Sequence, residues 1–332
     1  MKELPLRERS TAADLLKGVS IVGVLWIHFG LPLSWVFRFC VPVFICVWAY
    51  FFEKSLQRTE PKGNSKKHLV FYKFTQLFIP YLFWTILYMI ILHSGEEWVN
   101  TPIHTIIGGW FGGYGWAGQY FFIILFQWVF LFPIFRCYVC ENNYKAIIIF
   151  SVLFNFLAAH FFFGSRIVSG FNDRMFFYWV PYVALGICFA RGFPKRNGKL
   201  FVFGILAFIA LSFEKPLGGY KTDLFPIYFS GMCSIGSILL LLSVGSPGGV
   251  GVNIFPQNKL VKVLCEVGKN SFSIFVSHNL IVIFMHKVEL ASTSFAIRVA
   301  FMAVALVFGY LLSWLLPRIG LGWLVGRHKV QA

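Results

Sequence analysis

The chain has 332 residues, of which only 13% are charged while 58% are apolar; globular domains carry roughly 25% charged residues. With a mean hydropathy of +0.72, that excludes a disordered chain, a cytosolic enzyme and a basic nucleic-acid-binding domain, so no nucleic acid is expected as a partner. The net charge of +16 then takes its meaning from its position relative to the apolar segments, with the lipid bilayer as surroundings.

Ten apolar segments follow one another along the chain, at 15–33, 36–52, 74–92, 118–135, 146–163, 175–190, 200–213, 224–244, 271–285 and 299–316. They predict an all-α fold, a polytopic transmembrane bundle of about ten helices forming a single domain over 1–332. A straight span needs about 20 residues. Several segments fall short of that, 200–213 most of all, and their polar flanks must help.

The lysines and arginines test this map, because short cytoplasmic loops retain positive charge. With the N-terminus inside, 22 of the 29 fall on the cytoplasmic side, and only Arg38, Arg166, Arg174, Lys215, Lys221, Lys287 and Arg298 fall outside. Both termini are therefore expected in the cytoplasm, in a multi-pass protein of the inner or plasma membrane. Residues 1–14 read as a cytoplasmic N-terminus and 317–332 as a cytoplasmic C-terminus. Residues 53–73 read as a basic cytoplasmic loop. Residues 93–117, with the run Gly108-Gly-Trp-Phe-Gly-Gly-Tyr-Gly-Trp116, read as an extracytoplasmic loop that lies at the interface or re-enters the bundle. Cys137-Tyr-Val-Cys140 stands without a second pair, and no metal site is expected.

Ionisable groups inside a bilayer are costly, so each is a candidate site. In the first segment Lys17 stands at the cytoplasmic mouth and His28 about 16 Å further along the helix, at 1.5 Å per residue. Lys17 reads either as a snorkelling lysine or as a ligand to an anion. Thr11-Ala-Ala-Asp14 fits a capping box, which makes Asp14 a helix start. His28 reads as helix glue or as a proton-moving group, since imidazole titrates near neutral pH. His278, in Ser271-Phe-Ser-Ile-Phe-Val-Ser-His278-Asn279, is a second buried histidine within reach of His28 or the path below it. Lys73 and Gln76 share one face of the third segment, one turn apart, where they could hold a phosphate. Gln119, Gln127 and Asn155 are uncharged and suited to bridging helices.

These residues resemble those of the acyltransferase-3 family of integral membrane acyltransferases. Asp14-Leu-Leu-Lys17-Gly18 with His28 after ten intervening residues is similar to the family's opening signature, which usually has Arg where Lys17 stands. Cys40-Val-Pro42-Val-Phe44 with Trp48-Ala-Tyr50-Phe51 resembles its second helix, and Lys73 through Tyr81 its basic pair followed by Ile-Pro-Tyr, here with Gln76 in place of the second Arg. Gly118-Gln-Tyr120 through Pro133 is similar to its fourth helix, and Ser271 through His278 to its late Ser-aromatic-His segment. The resemblance implies transfer of an acyl group, acetyl from acetyl-CoA, onto a sugar hydroxyl of a surface polysaccharide or lipid-linked glycan. It implies His28 as the catalytic base, His278 and Asp14 in support, and Lys17, Lys73 and Gln76 at the acyl-CoA. Acetyl-CoA would be a donor substrate, with no tightly bound cofactor. A proton-coupled transporter or flippase using the same histidines as relays is the alternative from another class.

Overall fold

Why each apolar stretch folds as it does follows from its surroundings: backbone N–H and C=O groups with no water to bond must bond within their own segment, and that makes helices. The computed structural model describes residues 11–59, 66–92, 102, 104, 107–158, 174–211, 230–245, 258–288 and 294–327. Among the described residues every ordered element is helical. In chain order they are α1 (Thr11–His28), α2 (Cys40–Thr59), α3 (Lys66–Leu92), α4 (Tyr120–Tyr138), α5 (Tyr144–Leu157), α6 (Val180–Arg191), α7 (Leu200–Leu211), α8 (Gly231–Val244), α9 (Lys259–Lys269), α10 (Ser271–Lys287) and α11 (Phe295–Arg318). Short 3-10 turns at Ser34–Phe39, Phe176–Trp179 and Gly322–Val325 and a π-helical turn at Ile107–Tyr114 connect or extend them.

Each of the ten predicted segments contains a helix, and the boundaries shift for identifiable reasons. The first helix stops at His28 rather than running to residue 33. Residues 53–59 and 66–73, read from the sequence as loop, are helical turns of α2 and α3. The tails of the predicted segments at 159–163, 212–213 and 224–229 lie outside the described residues, as do 93–101. One helix was not predicted at all. α9 interleaves Lys259, Lys262, Glu266 and Lys269 with apolar residues, so no continuous apolar run marks it. It turns Cys265 and Gly268 inward and leaves Leu260 and Val263 more than half exposed.

α1, α3, α4, α11 and α2 with its preceding turn are long and apolar enough to cross a membrane; α5, α6, α7 and α8 are apolar but shorter. Large apolar side chains project outward from α3, α5, α7 and α11, among them Ile90, Phe150, Val202 and Val307. Polar side chains point the other way. On α10, Ser271, Ser273, Ser277, His278 and Asn279 are all buried. This inversion of the soluble pattern is what a bilayer imposes.

Two large clusters of buried side chains divide the interior. One gathers around α2, α4 and α6, with Trp128, Phe132, Trp179 and Tyr182 at its centre. The other gathers around α1, α3, α10 and the preceding Trp116, with Tyr88, Phe122 and Val276. The first cluster is closed at one end by a buried ion group. The Glu53 carboxylate on α2 accepts from Arg136 Nε at 2.6 Å and Nη2 at 2.9 Å on α4, and from Arg191 Nε at 2.9 Å at the end of α6. Arg191 Nη2 also donates to the Arg136 carbonyl at 2.8 Å. The positive-inside count treats these two arginines as loop cations; they are ties between helices.

Candidate active site

A Schellman motif decides where α1 ends. The Leu31 N–H donates to the Trp26 carbonyl and the Gly30 N–H to the Ile27 carbonyl, both at 3.1 Å, with Gly30 at φ +62°. Only glycine adopts that φ at little cost, and Pro32 two residues on prevents the helix from resuming. Arg298 at the start of α11 donates to the Gly30 carbonyl at 2.7 Å, holding the stop in place. His28 is thus the last residue of α1, half-buried, where the chain turns away.

The ring of His28 meets that of His278 on α10, centroid to centroid 5.0 Å, with an interplanar angle of 36°. His278 is fully buried, and its Nδ1 lies 2.6 Å from the Phe275 carbonyl oxygen. A carbonyl oxygen only accepts, so Nδ1 carries the proton and Nε2 presents its lone pair. Among the described residues Nε2 has no hydrogen-bond partner. The Arg38 guanidinium, on the turn Ser34–Phe39, is close enough to act electrostatically on His28.

At the seam between the two clusters lies a cavity of about 280 Å³. Its polar lining consists of Lys17 and His28 on α1, Lys73 on α3, Lys269 at the end of α9, Ser271 and Tyr120. The remainder is largely aromatic and aliphatic, including Phe44, Trp48, Phe52, Phe121 and Phe275. Among the described residues no carboxylate lines it. The wall near Gly118 is held by Gln119, which is fully buried. Its amide nitrogen donates to the Trp110 carbonyl at 2.5 Å and the Thr85 hydroxyl at 2.9 Å, and its Oε1 accepts from the Gly115 N–H at 2.7 Å. That network ties α3, the π turn and α4 around the space.

The structure therefore brings His28, Lys17 and Lys73 to one cavity and places His278 directly behind His28. Asp14 does not line that cavity: it is buried in the first turn of α1, pairs with Lys17 at 2.8 Å, and lines a separate cavity beside α9. Gln76 accepts from Lys73 at 3.5 Å and does not line the cavity that Lys73 lines. Gln127 accepts from the Phe176 N–H at 3.1 Å and donates to the Arg174 carbonyl at 2.6 Å, while Asn155 donates to the Tyr178 carbonyl at 2.9 Å; both bridge elements. Lys269 was missed as a cavity residue, because in the sequence it is one loop cation among many. Among the described residues no group of three or more His, Cys, Asp or Glu side chains is placed to hold a metal ion. Three lysines and a histidine in an apolar space can bind an anionic group at one place and move a proton at another.

The chain belongs to the acyltransferase-3 family: the family model for its acyltransferase domain matches residues 11–316, nearly the whole chain. No curated protein and no solved structure matches it. It is a multi-pass membrane acyltransferase.

Proposed function

We propose that the protein moves an acetyl group from acetyl-CoA onto a sugar hydroxyl of a cell-surface polysaccharide or lipid-linked glycan in the inner or plasma membrane. The observation that carries this reading is that Lys17, Lys73 and His28 line one cavity, with no carboxylate in its wall among the described residues. Lys17 and His28 stand about 16 Å apart along α1 at 1.5 Å per residue. An anionic head held at the lysines leaves a long, thin arm to carry a thioester to the histidine, and the aromatic walls suit such an arm.

In the reaction His28 takes the proton of the acceptor hydroxyl as its oxygen attacks the thioester carbonyl. A C–O bond forms and the C–S bond breaks. The imidazolium then returns its proton to the leaving thiolate sulfur, so that ester and free thiol depart and the histidine is neutral again. The positive-inside bias supports a cytoplasmic donor, with the acceptor approaching from the opposite side. Gln76 serves this arrangement indirectly, by holding Lys73.

The test is transfer of radiolabel from acetyl-CoA to a membrane glycan by the purified protein in vesicles, with the mass of the surface glycan compared in cells with and without the protein. Acetyl-CoA-dependent labelling and an acetyl-sized mass difference are expected. Uptake of a small substrate without any acyl-CoA, and no labelling, would overturn the reading in favour of transport.

A further inference from the structure

We propose that Lys269 is a third cation of the donor site, gripping the phosphate-bearing head of the acyl-CoA together with Lys17 and Lys73. This rests on the reading of the cavity as the acyl-CoA site. The three lysines come from three different helices, α9, α1 and α3, and line the same cavity.

What distinguishes Lys269 from an ordinary surface lysine is how its backbone is held. On one side, Gly268 and Gly18 let α9 and α1 cross backbone against backbone: a Cβ at Gly268 would overlap the Asp14 carbonyl oxygen, and one at Gly18 the Leu264 carbonyl oxygen. On the other side Asn270 is buried and anchored. Its Nδ2 donates to the Glu266 carbonyl at 2.7 Å, and its Oδ1 accepts from Arg327 Nη2 at 2.7 Å and from the Ser313 hydroxyl. Lys269 sits between two immobilised neighbours, so its origin relative to Lys17 is set before any ligand arrives. Such preorganisation is what makes a binding charge effective.

The carboxylate that pairs with Lys269 does not compete strongly. Glu266 lies one turn back on α9, its side chain 54% exposed, and it lines a neighbouring cavity that Lys269 also borders, not the one the three lysines share. Exposed pairs of this kind contribute little, so the ammonium group can turn to a ligand at small cost. Lysine ammonium groups act as point charges that suit phosphate. Three of them around an apolar passage exceed what a single carboxylate or phosphate requires. They match a head with several phosphate charges, as the nucleotide end of a coenzyme A thioester carries.

The experiment compares donor kinetics of the whole protein in vesicles for two donors: acetyl-CoA, and an acetyl-pantetheine thioester that has no phosphate. Loss of a charge-assisted contact raises KM by about tenfold. Lys269→Gln should raise the KM for acetyl-CoA by that factor while leaving that for acetyl-pantetheine unchanged, and Lys269→Arg should restore most of it. Lys262→Gln, the same charge change on an exposed position of the same helix, should leave both unchanged. The inference is overturned if Lys269→Gln alters neither KM, if it alters both equally, or if Lys262→Gln matches it for acetyl-CoA. A shift in acetyl-CoA KM for Lys17→Gln and Lys73→Gln without one for Lys269→Gln removes Lys269 alone. Unchanged KM in all three lysine variants removes the donor site itself.

Discussion

His278 packs its ring against that of His28, centroid to centroid 5.0 Å, and the Phe275 carbonyl at its Nδ1 leaves Nε2 as the nitrogen that carries the lone pair. A neutral acceptor beside a base that becomes an imidazolium favours one ring orientation of that base.

The sharpest expectation concerns His28 itself. A general base contributes about 10²- to 10⁴-fold to rate, so His28→Ala and His28→Gln should both lose transfer by that order while remaining folded and retaining donor KM. Glutamine keeps hydrogen bonding but takes no proton at neutral pH. An active His28→Gln protein in the radiolabel assay would reduce His28 to helix glue.

For His278 the expectation is a positioning effect. His278→Phe keeps a ring against His28 but removes the Nε2 lone pair, which is free to accept from the imidazolium formed in the reaction, and kcat should fall by about tenfold or more with the acetyl-CoA KM unchanged, the size of one hydrogen bond to a charged group. His278→Gln, whose Oε1 can accept, should recover part of that loss. If Phe and Gln behave alike in steady-state kinetics, the residue only packs.

The buried Glu53 group predicts a different phenotype. Removing one partner of a buried ion group costs about 3 to 5 kcal/mol, because a charge is left uncompensated. Arg136→Met should therefore lower the thermal midpoint of the detergent-solubilised protein by several degrees. The folded fraction should keep its acetyl-CoA KM, since none of Glu53, Arg136 and Arg191 lines the cavity. A changed KM with an unchanged midpoint would contradict the assignment.

Topology can be tested with the native thiols. Of the seven cysteines, Cys137 and Cys140 are exposed and the other five are buried. The exposed pair falls on the cytoplasmic side of the cation map, so an impermeant maleimide should leave intact cells unlabelled and should label the protein once they are permeabilised. With both replaced by serine, Ser294→Cys should be labelled in intact cells and Asn197→Cys should not. Labelling of the native pair in intact cells would invert the bundle.

The apolar runs made ten helices legible, because in lipid an apolar run can satisfy its backbone within the segment only as a helix. Lys17, His28, Lys73 and His278 were legible for the complementary reason, as polar groups where polarity is expensive. What stayed hidden depends on pairing across the chain. Glu53 meets Arg136 across 83 positions and Arg191 across 138, and no local pattern announces either. α9 escaped because its residues alternate in type on a helical period rather than forming a run. With it went Lys269, whose role is set by the crossing of α9 on α1. Gln119 was read as a bridging group, but that it joins the π turn to α3 follows only from the fold.

The glycine crossing has an outcome for any saturation mutagenesis of this protein. Gly18 and Gly268 touch no ligand in the proposed scheme, yet neither position has room for a methyl group, and the atoms in the way are carbonyl oxygens that cannot rotate aside. In a scan scored by cell-surface acylation the two positions should appear as intolerant as His28, with alanine already inactive. Such a map would misreport them as chemistry. Scoring the same library for membrane abundance separates the classes: His28 variants persist in the bilayer, whereas substitutions at the two glycines are cleared by quality control.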